Sequence, residues 1–174
     1  MRIVVSDSSC LIDLRRASLL AAFLKLPYEV LIPNTLFDDE LLKFTAGEKR
    51  SLLRSGLKVV DVPGTGVLRA REIIRKTPRL SINDGFAFAV AESHEDCVLV
   101  TGDGLLRMVA TEHGIEVHGV LWIIDELHQH GIETPIRLVE ALRLFAQDQT
   151  VRLPRRELLA AIRKYEGLRN RIVR

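Results

Sequence analysis

Hydrophobic positions along the chain form five short continuous runs, separated by longer segments whose apolar residues recur at helical spacing. The runs are rich in Val, Ile and Leu and are bounded by Gly, Pro, Asp or Asn. Such runs are typical of parallel strands that are buried on both faces. The predicted strands cover residues 2–6, 29–32, 57–62, 97–101 and 115–118. The predicted helices between them cover residues 9–25 (broken), 34–54 (broken near Gly47), 66–76, 82–94 and 104–113.

The alternation of these elements predicts an α/β fold, with an open, mostly parallel sheet of about five strands flanked by helices. After residue 118 the pattern predicts only helices, at 121–130, 135–146 and 154–165. We therefore expect a main α/β domain over residues 1–130 and a helical C-terminal extension over residues 131–174. The apolar faces within 121–146 predict that this extension packs on the same domain or on a dimer partner.

The composition predicts a globular protein and argues against a disordered or membrane-spanning one. The chain has 174 residues, of which 47% are hydrophobic and 28% charged, as expected for one globular domain and not for a disordered chain. No stretch reaches about 18 uncharged apolar residues, so we expect no membrane span. The N-terminus lacks the features of a signal peptide, which predicts a cytoplasmic protein. Cys10 and Cys97 form no disulfide framework and are expected to be reduced.

The formal net charge of +2 is unevenly distributed along the chain. Residues 151–174 carry eight Lys or Arg and two Glu, which gives this segment a charge of +6. The other 150 residues carry 17 basic and 21 acidic side chains, which gives them a charge of −4. The basic segment is suited to contact nucleic acid, an acidic partner or the acidic body of the same chain, or it forms a solvated helix face.

Three aspartates stand where ligands bind in open parallel sheets, at the carboxyl ends of strands. Asp7 follows the first predicted strand, and Asp103 follows the fourth. Asp84 opens the helix that leads into that fourth strand. Each also has a structural explanation, because aspartate caps helices, favours their N-termini and occurs in turns.

A glutamate in the predicted helix over 34–54 provides a fourth candidate. Glu40 falls within the apolar arc formed by Leu36, Phe37 and their neighbours, and a carboxylate on such a face is costly unless it meets a cation or hydrogen-bond donors. The alternative is a helix end that lets Glu40 reach solvent. Four converging carboxylates would repel one another, and a hard divalent cation such as Mg²⁺ or Mn²⁺ would relieve that repulsion. Such a site suits phosphodiester hydrolysis.

Taken in their order along the chain, the four acids and their flanking elements resemble the PIN domain family over roughly residues 1–125. This family includes the VapC-type ribonuclease toxins. The resemblance maps the family's metal-binding and catalytic acids onto Asp7, Glu40, Asp84 and Asp103. It also places supporting hydroxyls at Ser8 and Thr101. The chain differs from the family pattern in its extra C-terminal helices and in having Gly104 where a polar residue often follows the fourth acid.

The resemblance implies an endoribonuclease that depends on Mg²⁺ or Mn²⁺ and leaves a 5′-phosphate and a 3′-hydroxyl. It implies homodimerisation and, for a toxin, inhibition by a cognate antitoxin. A stand-alone PIN protein fits the length equally well, and a non-catalytic module that binds RNA or protein is a second alternative. A haloacid-dehalogenase-like phosphatase is a third, but that class needs an acid two positions after Asp7, where this chain has Ser9.

The remaining motifs add little chemistry. No P-loop is present and the glycine-rich segment 63–69 lacks the third glycine of a dinucleotide loop, so we expect no nucleotide cofactor. The chain has nine Phe, Trp and Tyr residues, too few to predict a stacking platform for RNA bases, so phosphate contacts should dominate. Basic residues expected near the cleft, and otherwise on solvated helix faces, are Arg15, Arg16, Lys43 and Arg107.

Overall fold

The computed structural model describes the chain over residues 1–172, with side chains described as far as Asn170. Its five strands form one sheet in which every neighbouring pair is parallel, in the order β3-β2-β1-β4-β5. The strands are β1 (Arg2–Ser6), β2 (Tyr28–Pro33), β3 (Lys58–Val60), β4 (Val98–Val100) and β5 (Glu116–His118). The predicted α/β fold is thus confirmed, although β3, β4 and β5 are shorter than the runs that predicted them.

Helices connect the strands and continue beyond the last one. They are α1 (Ser8–Arg16), α2 (Leu20–Phe23), α3 (Asn34–Asp39), α4 (Ala46–Arg54), α5 (Gly64–Lys76), α6 (Ile82–Glu92), α7 (Gly104–Glu112), α8 (Val120–Gln129), α9 (Pro135–Gln147) and α10 (Arg155–Ile172). As predicted, the segment 9–25 is broken, and its break lies between α1 and α2.

The break within the segment 34–54 lies earlier than we predicted. The first helix of that segment, α3, already ends at Asp39, whereas α4 begins at Ala46, next to the predicted break at Gly47. Thr45 and Glu48 form a capping box, in which the Glu48 backbone N–H donates to Thr45 Oγ1 at 3.1 Å and the Thr45 N–H donates to Glu48 Oε2 at 2.7 Å. This local signal fixes the start of α4, and Glu40 lies at the C-terminal end of α3.

The C-terminal helices pack against the rest of the chain. Ile124 of α8 and Leu142 of α9 are fully buried, and α9 also packs along α10. The buried Tyr165 of α10 donates its hydroxyl proton to Asp125 of α8 at 2.6 Å. The apolar faces of 121–146 therefore find most of their partners within one chain, although Ile136 remains 45% exposed. No helix among residues 1–172 combines the length and the apolar character that a membrane crossing requires.

The order of the strands sets the place of a ligand site. From β1 the chain continues to β2 and β3 on one side of the sheet and later adds β4 and β5 on the other. The crevice beyond the carboxyl ends of β1 and β4 is therefore the point where the strand order reverses, which is where open α/β sheets bind ligands.

Candidate active site

The carboxyl ends of β1 and β4 are joined by hydrogen bonds around Thr101. The backbone N–H of Asp7 donates to the carbonyl of Val100 at 2.9 Å. The Thr101 hydroxyl, which is fully buried, donates to Asp7 Oδ2 at 2.9 Å and accepts the backbone N–H of Asp103 at 3.0 Å. One hydroxyl thus holds the acid that follows β1 and the turn that carries the acid after β4.

Asp7 is a buried carboxylate whose side chain does not cap a helix. It occupies the N-cap position of α1, but its side chain makes no capping hydrogen bond, and the residue is 6% exposed. Ser9 Oγ donates to Asp7 Oδ2 at 2.8 Å and accepts the Gly102 backbone N–H at 3.0 Å. Burial raises the pKa of Asp7, and the charges of Asp84 and Glu40 raise it further, against the hydrogen bonds from Ser9 and Thr101.

Asp84 and Asp103 each use one carboxyl oxygen to cap a helix. Asp103 Oδ1 accepts the backbone N–H groups of Leu105 and Leu106, both at 2.9 Å, and Asp84 Oδ2 accepts that of Ser81 at 2.8 Å. The other oxygen of each side chain makes no hydrogen bond within the described part of the chain. Burial raises the pKa of Asp84, and the nearby charges of Asp103 and Glu40 add to this effect. The capping role suggested by sequence is therefore compatible with a second role in the cleft.

Glu40 reaches the site from the end of α3. Asn83 Nδ2 donates to Glu40 Oε1 at 2.8 Å, and Ser8 Oγ hydrogen-bonds to Glu40 Oε2. The same Ser8 hydroxyl lies 3.3 Å from Asp7 Oδ1. We predicted Glu40 on the apolar face of a continuing helix, and this is wrong because α3 ends at Asp39. The side chain is half-buried, and each of its carboxylate oxygens accepts a hydrogen bond. Glu40 therefore neither enters the core nor lies fully in solvent.

The four acids line one cleft of about 300 Å³, together with Ser8 and Ser9. Within the described residues, no three acidic, His or Cys side chains come together as tightly as a preformed metal site requires. Each carboxylate is instead held by its own hydrogen-bond donors. The cleft presents carboxylate oxygens and hydroxyls and no sulfur or imidazole ligand, a donor set that fits Mg²⁺ or Mn²⁺.

The chain matches a protein-family model described as a PIN domain over residues 3–166. The chain belongs to the PIN domain family. The match includes α8, α9 and most of α10, so the C-terminal helices lie within the region that this family model describes. No curated protein matches the chain. The PIN domain thus has the nuclease-type α/β fold that the sequence led us to expect, with its acid-lined cleft at the switch point of the sheet.

Several residues that line the cleft of this PIN domain, or that hold one of its acids, were not assigned to it from sequence. Ser9 and Asn83 each hold one of the acids, and both are adjacent or nearly adjacent in sequence to a predicted site residue. Asp13 lines the cleft one helical turn after Ser9, so helical spacing was a usable signal for it. Arg152 also lines the cleft, but it arrives from the C-terminal extension, and no local pattern indicates that return.

The four predicted basic residues lie in different surroundings. Arg16 lines the cleft, where it pairs with Asp13 at 3.3 Å and with Asp148 at 3.5 Å. Arg15 does not line the cleft, and its guanidinium forms a salt bridge with Glu48 of α4 at 2.7 Å. The remaining two also lie outside the acid cleft: Lys43 is exposed on the segment after α3, and Arg107 lines a neighbouring pocket.

Removal of the Thr101 hydroxyl should lower the rate at which the PIN domain cleaves nucleic acid. Thr101→Val keeps the shape of the side chain but leaves the Asp103 backbone N–H without its acceptor and removes one of the two hydroxyl donors to Asp7 Oδ2, so that Ser9 is the remaining one. We expect about a tenfold loss of cleavage rate in Thr101→Val and near wild-type rates in Thr101→Ser, measured on the same RNA. Equal rates in Thr101→Val and wild type would show that this hydroxyl does not position the acids.

Asp13 should make the stability of the PIN domain depend on pH. Burial raises the pKa of Asp13 to about 6, and the charge of Asp148 adds to this, while Arg16 opposes it. A carboxyl whose pKa is raised by folding favours the folded state while protonated, and this contribution is lost as pH rises through the folded-state value. Wild type should therefore lose stability as pH rises, whereas Asp13→Asn has no such carboxyl to ionise. The free energy of unfolding of Asp13→Asn relative to that of wild type should increase by about 2–3 kcal/mol between about pH 4 and about pH 7.

This difference can be measured by urea unfolding of both proteins across the pH range, which cancels the titration of all other groups. A difference that stays constant or falls with rising pH would contradict the assigned environment of Asp13.

Proposed function

We propose that this PIN domain is an endoribonuclease that hydrolyses RNA phosphodiester bonds with the help of Mg²⁺ or Mn²⁺. The observation that carries the proposal is the convergence of Asp7, Glu40, Asp84 and Asp103 on one cleft at the switch point of the sheet. Membership of the PIN domain family supports action on nucleic acid. The choice of RNA, with a 5′-phosphate and a 3′-hydroxyl as product ends, rests on the resemblance to the family's ribonucleases.

The four acids would hold the cation, and their surroundings suit them to that task. A bound divalent cation would supply activation of water and stabilisation of charge on the phosphoryl oxygens. Ser9 and Thr101 orient Asp7, while the helix N-termini orient Asp103 and Asp84 and leave one oxygen of each free for a ligand. Raised pKa values of Asp7 and Asp84 mean that these carboxylates gain the most from a nearby positive charge.

The alternatives from sequence have less support. A non-catalytic module that binds RNA or protein has no need for four acids around one cleft, and such a module would be free to lose them. For a haloacid-dehalogenase-like phosphatase, position 9 should carry an acid, whereas the Ser9 hydroxyl here links Asp7 to Gly102. We therefore keep the non-catalytic module as the competing hypothesis that the experiment must exclude.

We extend the proposal to the biological setting on the resemblance alone. A cytoplasmic VapC-type toxin would act as a homodimer and would be inhibited by a cognate antitoxin protein. The burial of the α8 and α9 faces within one chain leaves other surfaces to form such contacts. Light scattering of the purified protein at micromolar concentration tests the homodimer, and a monomer would contradict it.

The test of the function is cleavage of a mixed RNA pool by the purified chain with Mg²⁺, with Mn²⁺ or with EDTA. We expect cleavage with either cation, none with EDTA, and products with 5′-phosphate ends. Single-stranded DNA of matched sequence forms the comparison for substrate class. Cleavage that persists in EDTA, or products with cyclic phosphate ends, would contradict the proposed chemistry.

A further inference from the structure

A second, larger cavity adjoins the acid cleft. It encloses about 680 Å³ and lies between the end of β4, the beginnings of α7 and α8, and the segment 151–154 that precedes α10. The two cavities share Asp13, Gly102 and Arg152 in their walls. They therefore lie side by side along the carboxyl edge of the sheet, and we call the two together the groove. A volume of this size falls in the range of pockets that bind small organic ligands.

Two guanidinium groups line this second cavity. Arg107 of α7 donates from Nη2 to the carbonyl of Thr101 at 3.3 Å, and Arg152 stands where the two cavities meet. Neither arginine forms a salt bridge with a carboxylate in the part of the chain that the structure describes. The carboxylates in the same walls are Asp13, which is paired with Arg16, and the exposed Glu157. The pocket thus offers two guanidinium groups that no described carboxylate approaches within salt-bridge distance.

Gly119 leaves room for one of these groups. A Cβ atom at this position would lie 2.9 Å from Arg107 Nη2, which is closer than van der Waals contact allows. Its φ of −118° and ψ of −172° are accessible to any residue, so the backbone conformation does not require glycine here. The absence of a side chain instead leaves space for the Arg107 guanidinium. An alanine here should displace the end of the flexible Arg107 side chain at little cost to folding.

Thr101 connects this pocket with the acids. Its hydroxyl bonds to Asp7, and its carbonyl accepts the Arg107 guanidinium. A phosphodiester held by the acids would consequently have its neighbouring nucleotide close to Arg107 and Arg152. Guanidinium groups suit the phosphates of such a strand, because they bind phosphate oxygens through two parallel hydrogen bonds. Trp122 and His118 add ring surface to the same pocket, and these two rings stack on each other at 4.8 Å between centroids.

We propose that the pocket bounded by α7, α8 and the segment 151–154 holds the nucleoside next to the scissile phosphate, with Arg107 and Arg152 binding its phosphate. This inference rests on the proposed ribonuclease function and adds a substrate-binding subsite to it. Part of that subsite comes from the C-terminal extension, because Arg152 follows α9. The groove therefore leads a single RNA strand from the four acids, across Gly102, into the pocket.

Trp122 provides a direct probe, since it is the single tryptophan of the chain and lines the pocket. We would titrate the full chain with each of the four ribonucleoside 5′-monophosphates in EDTA, follow Trp122 fluorescence, and repeat the titrations by calorimetry. We expect saturable binding in wild type and binding weaker by about tenfold or more in Arg107→Ala and in Arg152→Ala. Gly119→Ala should weaken binding as well, with an unchanged melting temperature.

Two variants act as controls for this experiment. Gly64→Ala makes the same chemical change as Gly119→Ala at a position where a Cβ meets nothing within 4 Å, and it should bind as wild type does. Asp7→Asn should lose RNA cleavage but keep mononucleotide binding, which separates the subsite from the catalytic proposal. The subsite is refuted if wild type cleaves RNA but shows no saturable binding, or if the folded Arg107→Ala and Arg152→Ala variants bind as tightly as wild type. Binding without cleavage would instead retain the subsite and refute the nuclease proposal.

Discussion

Replacement of Asp7 by asparagine should abolish RNA cleavage while making the cation-free protein more stable. The loss of rate should be about 10³-fold or more, because the variant removes a charge at the reacting centre. The stability should rise because Asp7 is buried beside other acids, and burial raises its pKa. A carboxyl with a raised pKa destabilises the fold once it is ionised. Asparagine can keep the hydrogen bonds from Ser9 and Thr101 if its amide oxygen takes the place of Oδ2.

The measurement pairs cleavage rates with thermal melts in EDTA at neutral pH. Asp39→Asn is the matched control, since it removes an exposed acid at the end of α3, immediately before Glu40. We expect this control to change neither the rate nor the melting temperature. An Asp7→Asn variant that cleaves at the wild-type rate would remove Asp7 from the site, and one that melts lower would contradict the assigned electrostatic repulsion.

Mn²⁺ should stabilise the folded protein by relieving that same repulsion. A ligand that binds only the folded state at about one hundred times its dissociation constant adds about 2.7 kcal/mol. For a chain of this length, such a gain raises the melting temperature by about 5–10 °C. We expect this shift in wild type and a much smaller one in Asp103→Asn. That variant keeps the helix cap, because asparagine caps as well as aspartate does, and loses only the charge.

The control for ionic strength is a monovalent salt at a matched concentration, which should shift the two proteins equally. Equal Mn²⁺-dependent shifts in wild type and Asp103→Asn would mean that the cation binds elsewhere. No shift at any Mn²⁺ concentration would mean that the acids do not hold a cation in the absence of RNA.

The fold was largely predictable because its signal is local. The inner strands β1, β2 and β4 are buried over most of their length, so each appears in the sequence as a short continuous apolar run. The edge strands β3 and β5 are only partly buried, but the short apolar runs that contain them complete the pattern of five runs separated by helices. The edges of elements were less predictable. The capping box of Thr45 and Glu48 marks the start of α4 at Ala46, whereas α3 ends earlier, at Asp39, and a pattern of apolar spacing alone detects neither boundary.

The candidate site was partly predictable for the same reason. Asp7, Asp84 and Asp103 follow from their places at strand and helix ends, and the structure puts all three on one cleft. Glu40 reaches that cleft as well, but through the end of α3 and a hydrogen bond from Asn83, and not from the helix face we assumed. Arg152 was not predictable, because its position depends on how α9 and α10 pack and return the chain to the cleft.

We propose that the four carboxylates together hold a cation that drives RNA cleavage. The most direct measurement is the cleavage rate of one labelled RNA against Mn²⁺ concentration, for wild type, Asp103→Asn and Asp39→Asn. We expect saturable Mn²⁺ activation in wild type and Asp39→Asn, and a loss of both maximal rate and apparent Mn²⁺ affinity in Asp103→Asn. Indistinguishable curves for all three proteins would contradict it, as would cleavage that needs no divalent cation.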